Sequence, residues 1–221
     1  MKILGTILAR AVWVLDMQQL NPNGRSLLDL YQGIAKHYRF SKFPQHLLDF
    51  NAEKALEFNS GTFIKSPNED RRVGLTIYNN AIVADGLHST DDSEAFLHDV
   101  AKFAAKEHNL VFDLNSIVRT SYSSQLDVQF DSEPPLVNPK LKFLPSRLKS
   151  LASSYDGNPM NFGFGGLPVW YSGGVNDGGI LSFKLEHKWN IPFEKNIYFS
   201  SAPTTTKDHL TILNEIDTAL K

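Results

Sequence analysis

Two apolar runs, Val73-Gly74-Leu75-Thr76-Ile77-Tyr78 and Ala81-Ile82-Val83-Ala84, stand on either side of Asn79-Asn80. No other feature limits the fold as strongly. Asparagine tolerates positive φ better than most residues, and a two-residue type I′ turn asks for that at both tip positions. The runs are therefore predicted to pair antiparallel as direct neighbours. That rules out an all-helical chain and places at least part of the sheet outside a regular βαβ order.

Helical periodicity surrounds this hairpin. Leu27, Leu30, Tyr31, Ile34 and Tyr38 form one apolar stripe behind Ser26, a residue suited to cap a helix. A second short helix is predicted from near Pro44, carrying Leu47, Leu48, Ala55 and Leu56. A third is predicted from about Asp92 to Glu107, with Phe96, Val100, Phe103 and Ala104 inward and Asp91 and Glu94 at capping-box spacing. Residues 138–152 read as a connector and a short helix, and a last helix follows Thr204-Thr205-Thr206 with Leu210, Leu213, Ile216 and Leu220 as its stripe. Strands are predicted at Leu4–Leu20, central in the sheet, and at Ile117–Phe130, Ile180–Trp189 and Lys195–Ser201. The sum is an α+β chain with a mixed, mostly antiparallel sheet and helices packed on it. It reads as one domain over residues 1–221, with one candidate lobe boundary near 132–140 at Pro134-Pro135.

Composition narrows the function classes. A chain of 221 residues can bury roughly 70% of its unfolded surface in one core, without metal or disulfide. Its 22 basic and 24 acidic side chains leave a net charge of -2. They divide as 12 and 13 in residues 1–110 and as 10 and 11 in residues 111–221, so neither half is basic enough for a general nucleic-acid binder. The absence of cysteine removes thiolate zinc sites, iron–sulfur clusters and cysteine nucleophiles. Arg10 interrupts the apolar start, and Asp16 ends it without a small-x-small cleavage site. The start is therefore read as a strand rather than a signal peptide, and it is too short to span a bilayer. With no membrane-length segment elsewhere, the protein is expected to be soluble and cytoplasmic.

Candidate chemistry is sparse. Asp85, His88, Asp91 and Asp92 leave a strand and enter a helix, where they could bind a divalent cation or serve as turn and capping residues. His98-Asp99 offers a paired dyad, but Glu94, His98, Lys102 and Lys106 fall in one i, i+4 row, the pattern of a solvated face. No Gly-x-Ser-x-Gly elbow occurs, and His37, His46 and His209 carry no assigned role. Gly163-Phe164-Gly165-Gly166 leads into an extended Leu167-Pro168-Val169 segment rather than a helix, so it is no phosphate loop, and no cofactor is expected.

Asp177 followed by Glu186-His187-Lys188 resembles the core of restriction-type nucleases. The resemblance implies that Asp177 and Glu186 hold a metal and Lys188 steadies the attacking water. It covers about a dozen residues, and Asp177 falls in a glycine-rich stretch.

That stretch carries the leading expectation. Eight of the 14 glycines lie in residues 156–179, among Phe162, Phe164, Trp170 and Tyr171. Aromatic rings lose little side-chain entropy on docking and dominate interface energetics. Lys140, Lys142, Arg147 and Lys149 add a local basic stretch with no acid between Glu133 and Asp156. The chain is therefore expected to be a non-enzymatic interaction or assembly subunit that meets a protein partner or a second copy of itself. The alternatives are a metal-dependent hydrolase or nuclease, and a virion or secreted structural protein.

Overall fold

The structure, a computed structural model, describes residues 1–15, 27–45, 55–110, 114–132, 134, 140, 143–156, 162–170 and 182–219. In chain order the elements are β1 (Lys2–Leu15), α1 (Leu27–His37), β2 (Leu56–Ser66), β3 (Glu69–Ile77), β4 (Ala81–Gly86), α2 (Thr90–His108), β5 (Ile117–Gln129), α3 (Leu144–Asp156), β6 (Gly166–Trp170), β7 (Ser182–His187), β8 (Ile197–Ala202) and α4 (Thr206–Ala219). The strands form an eight-stranded antiparallel sheet in the order β2-β3-β4-β1-β5-β8-β7-β6. The fold is α+β, as the mixture of periods predicts. No helix among the described residues is long and apolar enough to cross a membrane.

The chain separates into two compact units. One comprises Thr6–Ser124 with Thr204–Lys207, and the other Met1–Gly5, Gln125–Pro203 and Asp208–Lys221. The chain passes from one unit to the other inside β1 after Gly5, inside β5 after Ser124, and on either side of Thr204–Lys207.

In the first unit, α1 and α2 bury the stripes read from the sequence. Leu30, Tyr31, Ile34 and Ala35 of α1 and Phe96, Leu97, Val100, Ala101 and Ala104 of α2 join Trp13, Phe58, Leu75 and Ala84 in one cluster. The predicted hairpin forms as β3 and β4, with Ile77 opposite Ile82. Its tip differs from the expectation, since neither Asn79 nor Asn80 takes positive φ. Tyr78 N–H donates to Ala81 C=O at 2.8 Å, and Leu15 N–H of β1 donates to Asn80 C=O at 3.0 Å. The third strand thus holds the turn in its own geometry. The β1 strand is central in the ladder but less buried than predicted. Ala9, Ala11, Trp13 and Leu15 are buried, whereas Ile3, Leu4 and Ile7 are exposed. Central hydrogen bonding does not oblige a strand to be covered on its faces. Residues 16–20 of that prediction lie outside the described residues.

Helix α2 begins at Thr90 rather than Asp92. Ser89 is its N-cap, with extended backbone at φ -144° and its hydroxyl accepting from Asp92 N–H at 3.1 Å. The cap expected at Asp91 is supplied by Ser89, and Asp91 falls within the first turn, while the carboxylate of Asp92 meets two cations described below. Of the helix predicted near Pro44, residues 46–54 lie outside the described residues, and Leu56 opens strand β2.

In the second unit, Leu126, Val128 and Phe130 pack with Leu185, Tyr198 and Leu213, flanked by Leu210 and Ile216 of α4. This reproduces the alternation of β5 and most of the α4 stripe.

Helix N-termini leave backbone donors without intrahelical partners. Within the first unit, Thr90 N–H donates to Thr206 Oγ1 at 3.0 Å, and Thr206 N–H donates to Thr90 Oγ1 at 2.9 Å. Both threonines are buried. Thr206→Val keeps the shape and removes the acceptor for Thr90 N–H. It is expected to cost about 1–3 kcal/mol, the penalty for a buried donor left alone. Urea unfolding would show this as a lower midpoint at constant slope. An unchanged midpoint would mean that water satisfies these groups.

Candidate interaction site

The acidic cluster is divided among separate contacts. Asp85 of β4 sits opposite Arg10 of β1 in the ladder and accepts a two-pronged contact, Arg10 Nε to Oδ1 at 2.6 Å and Nη2 to Oδ2 at 2.8 Å. Asp92, buried on α2, accepts from Lys65 Nζ at 2.6 Å and Arg71 Nε at 3.0 Å. Burial opposes its ionisation, but the two cations outweigh that and hold its carboxyl below the usual carboxylate range. His88 and Asp91 are exposed. Among the described residues, no group of three or more His, Asp or Glu is arranged to hold a metal ion.

His98 and Asp99 make separate contacts. The His98 ring lies edge-on to Trp13 at 4.7 Å, and Asp99 accepts from the Tyr38 hydroxyl at 2.8 Å. Burial, and then that hydrogen bond, push the Tyr38 hydroxyl well above its ordinary pKa. In the second unit, Asp177 lies outside the described residues. Glu186 is exposed on β7, and Lys188 just beyond it pairs with the buried Asp127 of β5. The other carboxylate oxygen of Asp127 has no hydrogen-bond partner among the described residues.

The aromatic features of the second unit are more coherent. Between β7 and β8 the chain makes a turn fixed by its own backbone. Ile191 N–H donates to Lys188 C=O at 3.3 Å, and Lys188 N–H donates to Ile197 C=O at 3.0 Å. A single 3₁₀ turn, Phe193–Lys195, follows and closes with Asn196 N–H on Phe193 C=O at 3.0 Å. Asn190 and Asn196 take φ of 62° and 52°, left-handed values that asparagine accepts at low cost. Asn196 C=O then receives Phe130 N–H, just past β5, at 3.0 Å, and Lys195 C=O receives Gln129 Nε2 at 3.0 Å.

At the tip of this turn Trp189 is 86% exposed. Phe193, 37% exposed, lies over the His187 ring at 4.3 Å. It also presses on the glycine-rich segment, where a Cβ at Gly163 would fall 2.6 Å from the Phe193 ring. Only glycine admits that approach. Phe162 next to it is exposed and Phe164 is half-buried. Trp170 closes β6, and Tyr171 lies outside the described residues.

The basic stretch falls partly on α3. Arg147 and Lys149 are exposed there, Lys140 is exposed ahead of the helix, and Lys142 lies outside the described residues. Leu144 and Leu148, one turn apart, are also exposed, with Phe143 at 62%. This pairing of basic and apolar groups on one short helix was not read from the sequence. Nor were Trp189, which ended the strand predicted at Ile180–Trp189, and Phe193, which fell between two predicted strands. The signal was Trp189-Asn190-Ile191-Pro192, a turn pattern carrying a ring.

Strand β6 ends the sheet order. His187 N–H donates to Gly165 C=O at 2.7 Å, so in the register Gly166↔Glu186, Pro168↔Lys184 the hydrogen-bonded positions toward β7 are odd-numbered. Pro168 therefore turns its missing N–H to the open side, a device that blunts an edge against strand addition.

No protein-family model matches the chain, and no curated protein is similar to it in sequence.

Proposed function

We propose that this chain is a non-enzymatic interaction or assembly subunit that docks a protein partner through aromatic side chains of its second unit. The observation that carries this reading is Trp189, nearly fully exposed on a turn held by backbone hydrogen bonds. An exposed indole on a pre-ordered frame contributes large contact area with little ordering cost. Phe193 and Phe162 are further exposed rings of the same unit, and Pro168 favours docking by side chains over strand pairing. Helix α3 adds Arg147 and Lys149 beside Leu144 and Leu148. The partner chemistry that fits is an apolar pocket for a ring, together with acidic groups at its rim.

Trp189→Ala tests the reading with little risk to the fold. Wild type and variant, immobilised side by side in the same native extract, should differ in one retained protein, present on wild type and lost from the variant. Sedimentation of the purified chains covers the case where the partner is a second copy. The melting temperature should move by no more than about 1 °C, as for a surface change. Equal retention on both chains, or no partner and no self-association for wild type, removes the proposal.

A further inference from the structure

The first unit holds a second feature, independent of the aromatic surface. Helices α1 and α2 flank an open cleft of about 680 Å³. Lys36 and His37 line it from α1, and Lys102, Phe103, Lys106 and His108 line it from α2. The Phe103 ring meets both imidazoles, His37 at 4.4 Å and His108 at 5.6 Å. His108 is seated against the helix backbone, since a Cβ at Gly33 would fall 2.5 Å from its Nε2. Glycine inside a helix costs about 1 kcal/mol relative to alanine. Here it gives the imidazole a place to lie.

Two acidic groups also line the cleft, and both are engaged. Asp99 accepts from the Tyr38 hydroxyl at 2.8 Å, and Glu107 pairs with Lys106 at 3.1 Å. Lys36 and Lys102 have no carboxylate partner among the described residues. Basic residues in the last turn of a helix offset its dipole, which explains Lys36 and Lys106. It does not explain Lys102, in the interior of α2, or the gathering of three lysines and two imidazoles from two helices around one space.

We infer that this cleft binds a small phosphate-bearing molecule, held by Lys36 and Lys102 beside the Phe103 ring. The volume lies in the range of small-ligand sites. Phosphate oxygens accept charge-assisted bonds from lysine ammonium groups, and imidazoles can add N–H donors.

The test uses the full chain and inorganic pyrophosphate in isothermal titration calorimetry. Wild type should give saturable one-site binding. Lys36→Ala combined with Lys102→Ala should weaken it by roughly tenfold or more, since each charge-assisted bond contributes about 1.5–3 kcal/mol. Both lysines are exposed, so the fold should persist, and circular dichroism verifies that. Lys42→Ala with Arg119→Ala, exposed residues of the same unit away from the cleft, serves as the control and should bind as wild type does. Absence of saturable heat in wild type overturns the inference. So does equal binding by the Lys36/Lys102 double variant, or a loss confined to the Lys42/Arg119 control.

Discussion

Phe96→Ala is expected to lower the unfolding free energy by about 3–5 kcal/mol, the range for deleting a large ring from a packed core. Phe96 is fully buried and sits where the helical and strand layers of the first unit meet. Tyr38 contacts its ring edge-on at 5.0 Å and 89°, Phe63 at 5.5 Å and Phe40 at 6.5 Å. Edge-to-face pairs contribute about 0.5–1.5 kcal/mol beyond area burial. Tyr38 and Phe40 lie in the segment just after α1 and Phe63 lies on β2, so the rings cannot all close on the void. Phe96→Leu keeps most of the volume and should cost less than about half as much. Chemical denaturation measures both. A loss under about 1 kcal/mol for the alanine variant would show that the ring cluster relaxes into the space.

The second large effect is a sensitivity to acid that resides in His209. This residue of α4 is fully buried in the second unit. Its Nε2 lies 2.8 Å from Ser200 Oγ, while Ser200 Oγ donates to Lys184 C=O at 2.9 Å. The hydroxyl proton is committed to the carbonyl, so the imidazole is the donor, neutral and protonated at Nε2. Burial pushes its pKa down to about 4 from an ordinary 6.5. The unfolded chain therefore takes up a proton near pH 6.5 that the folded chain refuses until about pH 4. Stability from the neutral ring is intact above pH 6.5 and falls away as the pH drops toward 4, by about 3 kcal/mol in all. His209→Gln keeps a donor for Ser200 and abolishes the titration. The stability difference between wild type and this variant should shrink or reverse between pH 6.5 and 4. Parallel curves across that window would place the acid sensitivity elsewhere.

How much of this was legible in the sequence follows from where local pattern and tertiary placement agree. Helices α1 and α2 announce themselves because one face of each is buried and the other wet, so Leu30, Ile34, Phe96 and Val100 recur at helical spacing. Strand β2 did not announce itself. Leu56 and Phe58 point inward on even numbers, and Phe63 does so on an odd one. The ladder shifts register between Phe58 and Gly61, with Ser60 at φ 58°. Gly61 is packed so closely that a Cβ would fall 2.4 Å from the Phe40 ring. A bulge flips the inward parity, and the period-two signal cancels across it.

The candidate site was legible by composition more than by position. Phe162, Phe164 and the basic residues of α3 stood out as residue types. Trp189 did not, because it closes a predicted strand on the same odd-numbered face as the buried Leu185 and so reads as inward, and only the turn at Asn190 turns it outward. The α1–α2 cleft could not be read at all. His37 and His108 belong to different helices, and nothing local to either reports the other.

Hydroxyl-radical footprinting of the chain, alone and bound to its partner, tests the central proposal most directly. Alone, Trp189, Phe193 and Phe162 should oxidise readily, and Trp13, at 1% exposure, should not. In the complex, Trp189 and Phe193 should be protected several-fold while exposed groups of the first unit such as Tyr78 keep their rate. Equal oxidation of Trp189 in the free and bound states would contradict the account.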